Sequence, residues 1–346
     1  MSDRSVLPVL GLMPGDPTGI GPEQCARILA DGRLTDVARL VVIGDARVLA
    51  MGARDAGVRL DLRRCDRPHA ADWSNGAIPI VDLANQDTAE LRRGAVSAAA
   101  GHVVGATLQH MVGLALADEI DGITFAPLNK AALHAGGWRF NDEHQLFAHL
   151  TGHEGHFGEM NVLDGLWMSR VTSHVALRTA LDQITGARIE AALALADATM
   201  RGAGFAAPRI AVAALNPHGG ENGLFGREEI EVIAPAVARA AASGIACRGP
   251  FPADTVFLKA LDGEFDGVLT MYHDQGQIAT KLRGFNRGVT VTAGLATVFT
   301  TPAHGTAFDI VGQGKATTGA LEAAVRLAAR LATCRRKTPA TVLANV

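Results

Sequence analysis

Val6-Leu7-Pro8-Val9-Leu10-Gly11-Leu12 runs almost directly into Pro14-Gly15-Asp16-Pro17-Thr18-Gly19-Ile20-Gly21-Pro22-Glu23. The first stretch is a short continuous apolar run, the mark of a strand buried on both faces. The second is rich in turn residues and ends on Pro22, well placed as the first residue of a helix because its missing N–H would be unpaired there anyway. The alternation continues outward. Arg39–Ile43, Ile78–Asp82 and Gly122–Ala126 read as strands, and Val96–Ala117 has helical apolar spacing. Pro127-Leu128-Asn129-Lys130 leads into another short helix. Further on, Asn161–Met168, Arg209–Leu215, Ile245–Arg248 and Gly267–Met271 read as strands. Ala187–Arg201, Arg227–Ala242, Asp254–Leu261 and Ala316–Ala332 read as helices. Strands alternating with helices predict an α/β protein with mostly parallel pairing.

A single core rarely serves 346 residues, so two domains or one large one are expected. The glycine-rich stretch from Gly136 to Gly158 is the best place for a crossing between them. Residues after about Thr338 are expected to be disordered. A net charge of -3 and no long basic tract argue against a nucleic-acid partner. No apolar run is long enough for a membrane span, and Met1–Leu12 lacks a signal-peptide layout, which leaves the cytoplasm as the expected location. The four cysteines are scattered without a C-x-x-C pair, so neither a disulfide framework nor a thiolate zinc site is expected. Only five of the 32 basic residues are lysine, and three of those, Lys130, Lys281 and Lys315, fall within the motifs below. This hints that an ammonium is wanted there.

Three histidines sit in turn-like contexts at the ends of predicted strands: His174, His218 and His273. Ligand-binding groups gather beyond the carboxyl ends of strands in α/β sheets. Three neutral imidazoles with open coordination positions suit zinc, cobalt, manganese or iron; magnesium enters only as a further divalent metal that the cofactor expectation leaves open. Their separations match no compact metal motif, and by spacing alone they read equally as unrelated loop histidines. His304-Gly305-Thr306-Ala307 with Gly312-Gln313-Gly314, and the Gly15–Gly21 turn, could let a backbone approach a nucleotide closely, or be plain loops. There is no Walker A sequence, no G-x-S-x-G elbow and no H-E-x-x-H.

Taken together these pieces resemble the PdxA family, the 4-hydroxythreonine-4-phosphate dehydrogenases and their relatives. The matching segments are Gly15–Glu23, Leu128–Leu133, Leu215-Asn216-Pro217-His218-Gly219-Gly220-Glu221, Gly249–Thr255, Met271-Tyr272-His273-Asp274-Gln275-Gly276 and His304–Lys315. They run in family order over nearly the whole chain. The resemblance implies an isocitrate/isopropylmalate dehydrogenase-like fold of two α/β/α domains with a central cleft. It places residues 1–140 and 290–346 in a first domain, with the cofactor loop at 304–315. Residues 141–289 form the second, with the metal ligands and a dimer interface. It implies a homodimer with the active site at the interface, a divalent metal held by His174, His218 and His273, and NAD or NADP. Because the ligands are shared between subunits in the family, His273 and Lys281 would serve the partner's site. Cofactor contacts are expected at Gly15, Asp16, His304, Gly305, Thr306, Asp309 and Gly312. Lys281, Asp254 and Asp274 are the catalytic candidates, although Asp254 equally suits an ordinary helix start. The implied reaction is oxidation of a metal-bound hydroxyl, with hydride passing to nicotinamide and loss of a β-carboxylate as a second step. The family name also implies pyridoxine biosynthesis. A PdxA-like binding protein without catalysis is the alternative, and a transferase on a related fold is a third possibility.

Two departures bear on the substrate. Where the family has Gly-His-Thr-Glu, with a substrate-binding His and Thr, this chain has Asp142-Glu143-His144-Gln145. Where the family holds phosphate with an Asn and an Arg downstream of the lysine, it has Thr290 and Phe299. Glutamate and phenylalanine are poor partners for a phosphate dianion. The expected substrate is therefore 4-phosphohydroxy-L-threonine or, favoured by the altered phosphate site, a related hydroxy acid or diol. Relatives of the family oxidise phosphorylated sugar acids or cyclic dihydrodiol carboxylates.

Overall fold

A computed structural model describes residues 7–89, 91–284 and 287–337. In chain order its strands and α-helices are β1 (Val9–Met13), α1 (Gly21–Asp31), β2 (Arg39–Gly44), α2 (Ala46–Ala56), β3 (Leu62–Arg64), β4 (Ile78–Asp82), α3 (Ala98–Leu116), β5 (Gly122–Phe125), α4 (Lys130–Ala135), α5 (Glu143–Leu150), β6 (Gly158–Leu163), β7 (Leu166–Arg170), α6 (Leu177–Gln183), α7 (Gly186–Gly202), β8 (Ile210–Ala213), α8 (Ala234–Ala242), β9 (Cys247–Phe251), α9 (Ala253–Leu261), β10 (Gly267–Thr270), α10 (His273–Gly284), β11 (Val289–Ala293), β12 (Val298–Pro302) and α11 (Gly319–Lys337). The tail expected to be disordered lies outside the described residues.

The chain divides into two compact units, one of Met1–Glu154 with Leu295–Arg336 and one built on Gly155–Gly294. The first carries strands in the order β3-β4-β2-β1-β5-β12, all parallel. Every residue of β1 is buried, as a central parallel strand requires. Its core gathers Val41, Ile43, Leu108, Met111, Ile123 and Phe125 from strands and α3. The second unit carries β11-β6-β7-β10-β8-β9, in which β6 is antiparallel to both neighbours and the rest are parallel. A smaller core of Ala211, Ala213, Val256, Phe265 and Val268 lies beneath α9.

Two expectations are corrected. Asn161–Met168 is not one strand but a hairpin, β6 to β7, turning at Asp164 and Gly165 with φ of 50° and 88°. Two successive positive φ values belong to the turn type that Asp-Gly favours. The unit boundaries also fall later than 140/141 and 289/290. Helix α5 stays with the first unit because Leu146 and Phe147 are buried in its core. Strand β11 stays with the second because it pairs with β6, Thr290 opposite Asn161.

Candidate active site

In the second unit, β7, β10 and β8 are parallel neighbours, and each is followed within a few residues by one of the three histidines. His174, His273 and His218 thus share one edge of the sheet, the end where α/β proteins bind ligands. The rings of His174 and His273 have centroids 5.5 Å apart. His273 Nδ1 is 2.7 Å from Asp274 Oδ1, an arrangement that fixes the ring and leaves Nε2 to face a ligand. Gln275 ties this helix start to the neighbouring loop. Its Nε2 donates to the Ala214 carbonyl at 2.7 Å and its Oε1 accepts from the Met271 N–H at 2.8 Å.

His218 lies in an unusual segment. Residues 218–222 all have positive φ: His218 55°, Gly219 69°, Gly220 78°, Glu221 43° and Asn222 55°. This is a left-handed turn, which costs roughly 1–2 kcal/mol for each residue that carries a Cβ. His174 is also left-handed, at φ 45°. Strain of this kind clusters where a side chain must point in a direction the relaxed chain does not offer. Among the described residues of one chain, no group of three His, Cys, Asp or Glu side chains is close enough to hold a metal ion. One chain brings His174 and His273 together, and His218 does not complete a trio with them. The donor chemistry therefore suits a divalent metal, but the set within one chain is short of three.

Behind these loops lies a buried polar network that spacing alone did not reveal. Arg170 Nη2 is 2.6 Å from Glu159 Oε2, and Arg170 Nη1 and Nε donate to Asn161 Oδ1 and Ser173 Oγ at 3.0 and 3.1 Å. Asn161 Nδ2 donates to Thr290 Oγ1 at 3.1 Å, and Gln277 of α10 donates to Asn161 Oδ1 at 2.7 Å. Thr290 is buried and already engaged with its neighbour on β6. Lys281 is exposed on α10, and Asp254 is exposed in the first turn of α9, where the helix dipole favours a carboxylate.

In the first unit, Phe299 is fully buried. It stacks on Phe147 at 4.2 Å and 9° between rings, and Phe125 meets Phe147 edge-on at 5.5 Å. The side chain is core, so it would influence substrate choice only through the space it fills. His144, on the inward side of α5, is likewise buried. Glu143 is largely covered and pairs with the more exposed Lys130 Nζ at 3.3 Å, the two residues beginning α5 and α4 behind caps from Asp142 and Asn129.

The two glycine-bearing loops do meet. The Ile20 N–H donates to the Thr306 carbonyl at 3.1 Å. Gln24 Nε2 reaches the Thr317 carbonyl at 2.7 Å and lies 3.3 Å from His304 Nε2. Arg27 reaches the Gly314 carbonyl at 2.7 Å, and Glu23 accepts from the Ala316 N–H at 3.0 Å. Gly15 is glycine for a reason: at φ 76° an added Cβ would lie 2.5 Å from the Ala126 carbonyl oxygen. Asp16 is buried rather than presented. Burial pushes its carboxyl above the usual range, only partly offset by the Thr18 hydroxyl and N–H that hold Oδ1. Thr306 is buried, while Gly305, Asp309 and Gly312 are exposed. Burial also pushes the His304 imidazole below its ordinary value, against the opposing hydrogen bond with the Gly305 carbonyl. A neutral imidazole beside exposed glycine backbone suits a nucleoside better than a phosphate, so the loop fits the adenosine half of a dinucleotide.

Comparison with known proteins decides the family. The model of the pyridoxal phosphate biosynthetic protein PdxA matches residues 36–328. The chain belongs to the PdxA family. It is 47% identical to a putative 4-hydroxythreonine-4-phosphate dehydrogenase 2 of Pseudomonas aeruginosa, over 94% of this chain and 97% of that protein. It is 41% identical to a D-threonate 4-phosphate dehydrogenase of Pectobacterium atrosepticum, over 94% and 99% respectively. Among solved structures, a 4-hydroxythreonine-4-phosphate dehydrogenase from Klebsiella pneumoniae superposes with a TM-score of 0.82 at 41% identity, covering 94% of this chain and 99% of that one. This PdxA protein is therefore an oxidoreductase acting on a CH–OH group, in a family that is NAD-linked and metal-dependent in general. No helix among its described residues is long and apolar enough to cross a membrane.

Proposed function

We propose that this protein is a homodimeric, metal-dependent NAD(P)-linked dehydrogenase whose substrate is a hydroxy acid or diol lacking the terminal phosphate. The observation that carries the substrate reading is the fate of the two expected phosphate contacts. One position, Phe299, is filled by an aromatic stack, and the other, Thr290, is bound to Asn161. Neither offers a charge to a dianion. His174, His218 and His273 would hold the metal, which when bound supplies Lewis acidity to a substrate hydroxyl. Asp274 orients the His273 ring. Lys281, exposed on α10, would meet a substrate carboxylate. The dinucleotide would lie on the first unit, along 304–315.

Two observations favour a second copy of the chain as part of the site. One chain lacks a three-ligand group among its described residues. Exposed large apolar side chains also flank all three histidines: Leu177 and Leu181 after His174, Leu224 and Phe225 after His218, Ile278 and Leu282 after His273. Such exposure marks surfaces that bind other chains. The test is a substrate panel with zinc, cobalt, manganese or magnesium and either NAD or NADP, read by absorbance of the reduced nicotinamide. Unphosphorylated hydroxy acids and dihydrodiol carboxylates are expected to turn over well above 4-phosphohydroxythreonine and D-threonate 4-phosphate. Rates on a phosphorylated substrate typical of its relatives would sink the reading.

A further inference from the structure

We infer that Glu229 is a positioning residue that sets the left-handed turn presenting His218. Glu229 is 4% exposed and lies where the chain forms one turn of π-helix, Glu229–Ile233. Its Oε1 accepts the N–H groups of Leu215 and Asn216 at 2.8 and 2.7 Å, and its Oε2 accepts Asn216 Nδ2 at 2.9 Å. These donors lie between the end of β8 and His218. The contact also bears on the turn from the far side, since a Cβ on Gly220 would lie 2.7 Å from Glu229 Oε2. One buried carboxylate thus grips the entry to the turn and fills the space its third residue leaves open. Burial alone would raise its pKa, yet the hydrogen bonds from Asn216 and Leu215 hold it below the usual range, as a carboxylate matched to its donors should be. Gly219 and Gly220 take this conformation without steric cost, but His218, Glu221 and Asn222 carry a Cβ, so an outside group that over-determines the run is called for. π-Turns of this kind are found disproportionately at functional sites.

The inference rests on the reading of His218 as a metal ligand, and the experiment separates the two. Wild type, Glu229→Gln, the double variant Glu229→Gln with Asn216→Asp, Gly220→Ala and His218→Ala are compared in the full-length protein. In the metal-free state, amide hydrogen exchange over 215–222 is expected to rise in Glu229→Gln and in Gly220→Ala while the rest of the chain keeps its protection. The double variant, in which the exchanged amide and carboxylate can again pair, is expected to recover. Calorimetric titration with Mn2+ is expected to show about 10- to 100-fold weaker binding in Glu229→Gln, with recovery in the double variant. Normal Mn2+ binding by His218→Ala would overturn the ligand reading alone, leaving the exchange result to decide Glu229. The inference falls if 215–222 stays as protected as in wild type, or if protection is lost uniformly along the chain. Should Glu229→Gln not fold, Asn216→Ala removes the Nδ2 donor from the same carboxylate and is read by the same exchange over 215–222.

Discussion

At the scale of single residues, the position expected to hold phosphate is occupied by a packing residue. Phe299 does not simply lack a charge; it is one slab of a stack with Phe147, closed edge-on by Phe125. An arginine there would put a guanidinium against the Phe147 ring inside the apolar core of the first unit. Phe299→Arg is expected to cost about 3–5 kcal/mol in urea unfolding, and inorganic phosphate should not recover the loss. A variant as stable as wild type and further stabilised by phosphate would mean that the position opens onto an anion site after all. His304 gives a prediction in pH. Its ordinary value is 6.5, and burial holds the folded value below that. As pH falls through about 6.5 the unfolded chain takes up a proton that the folded one refuses, so stability drops until the folded imidazole titrates as well. The contribution is fully present above the unfolded value. The slope can reach about 1.4 kcal/mol per pH unit, and His304→Gln should remove it. Denaturant midpoints at about pH 7.5 and 5.5 for both proteins check this. Equal acid sensitivity would remove His304 as its source.

At the scale of elements, what was legible follows the range of the interaction that sets each piece. The β1 strand, its glycine turn and the helix begun by Pro22 are local: the apolar run, the positive φ at Gly15 and the free N–H at a helix start are all written within a few residues. The three histidines could be placed at strand ends for the same reason. That they share one edge was not legible, because it depends on β10 lying between β7 and β8, an order set by crossovers. The β6–β7 hairpin was missed although Asp164-Gly165 is a strong local turn signal, since the apolar residues on either side read as one run. Helix α5 was assigned to the wrong unit because what decides it is burial of Leu146 and Phe147 against residues far away in sequence, such as Phe299. Glu229, Gln275 and Arg170 were invisible as site residues for a related reason. A glutamate in an amphipathic stretch reads as solvated, and only the fold reveals that its acceptors are spent on the loop carrying His218. Thr290 and Phe299, expected as substrate contacts, are both buried, and burial of this kind depends on residues far away in sequence.

At the scale of the whole molecule, the question is whether one chain makes a complete site. Among the described residues, ten of the twelve exposed large apolar residues belong to the second unit, the unit that carries the three histidines. An apolar cover over charged catalytic groups is costly in water unless another chain takes its place, and closed two-fold pairing is the commonest way a chain does so. Helix α10 makes the point locally, since Lys281 is exposed between Ile278 and Leu282, 60% and 84% exposed. Within one chain the His174 and His273 rings are neighbours, so if the three imidazoles hold one metal, His218, rather than His273 as the resemblance implies, would come from the second chain. If copies share the site, His218→Ala and His273→Ala each damage a different subunit's contribution. Each variant alone should be inactive. Unfolded together and refolded as a mixture, half the dimers would carry both variants, and in each of those one site would draw only intact residues. Roughly a quarter of wild-type activity should return. Introducing Leu282→Asp should instead shift the protein toward monomer in sedimentation equilibrium and abolish that recovery. A mixture that stays inactive while forming dimers would show that each chain builds its site alone, and would turn the search for the third ligand back to the residues around His174 and His273.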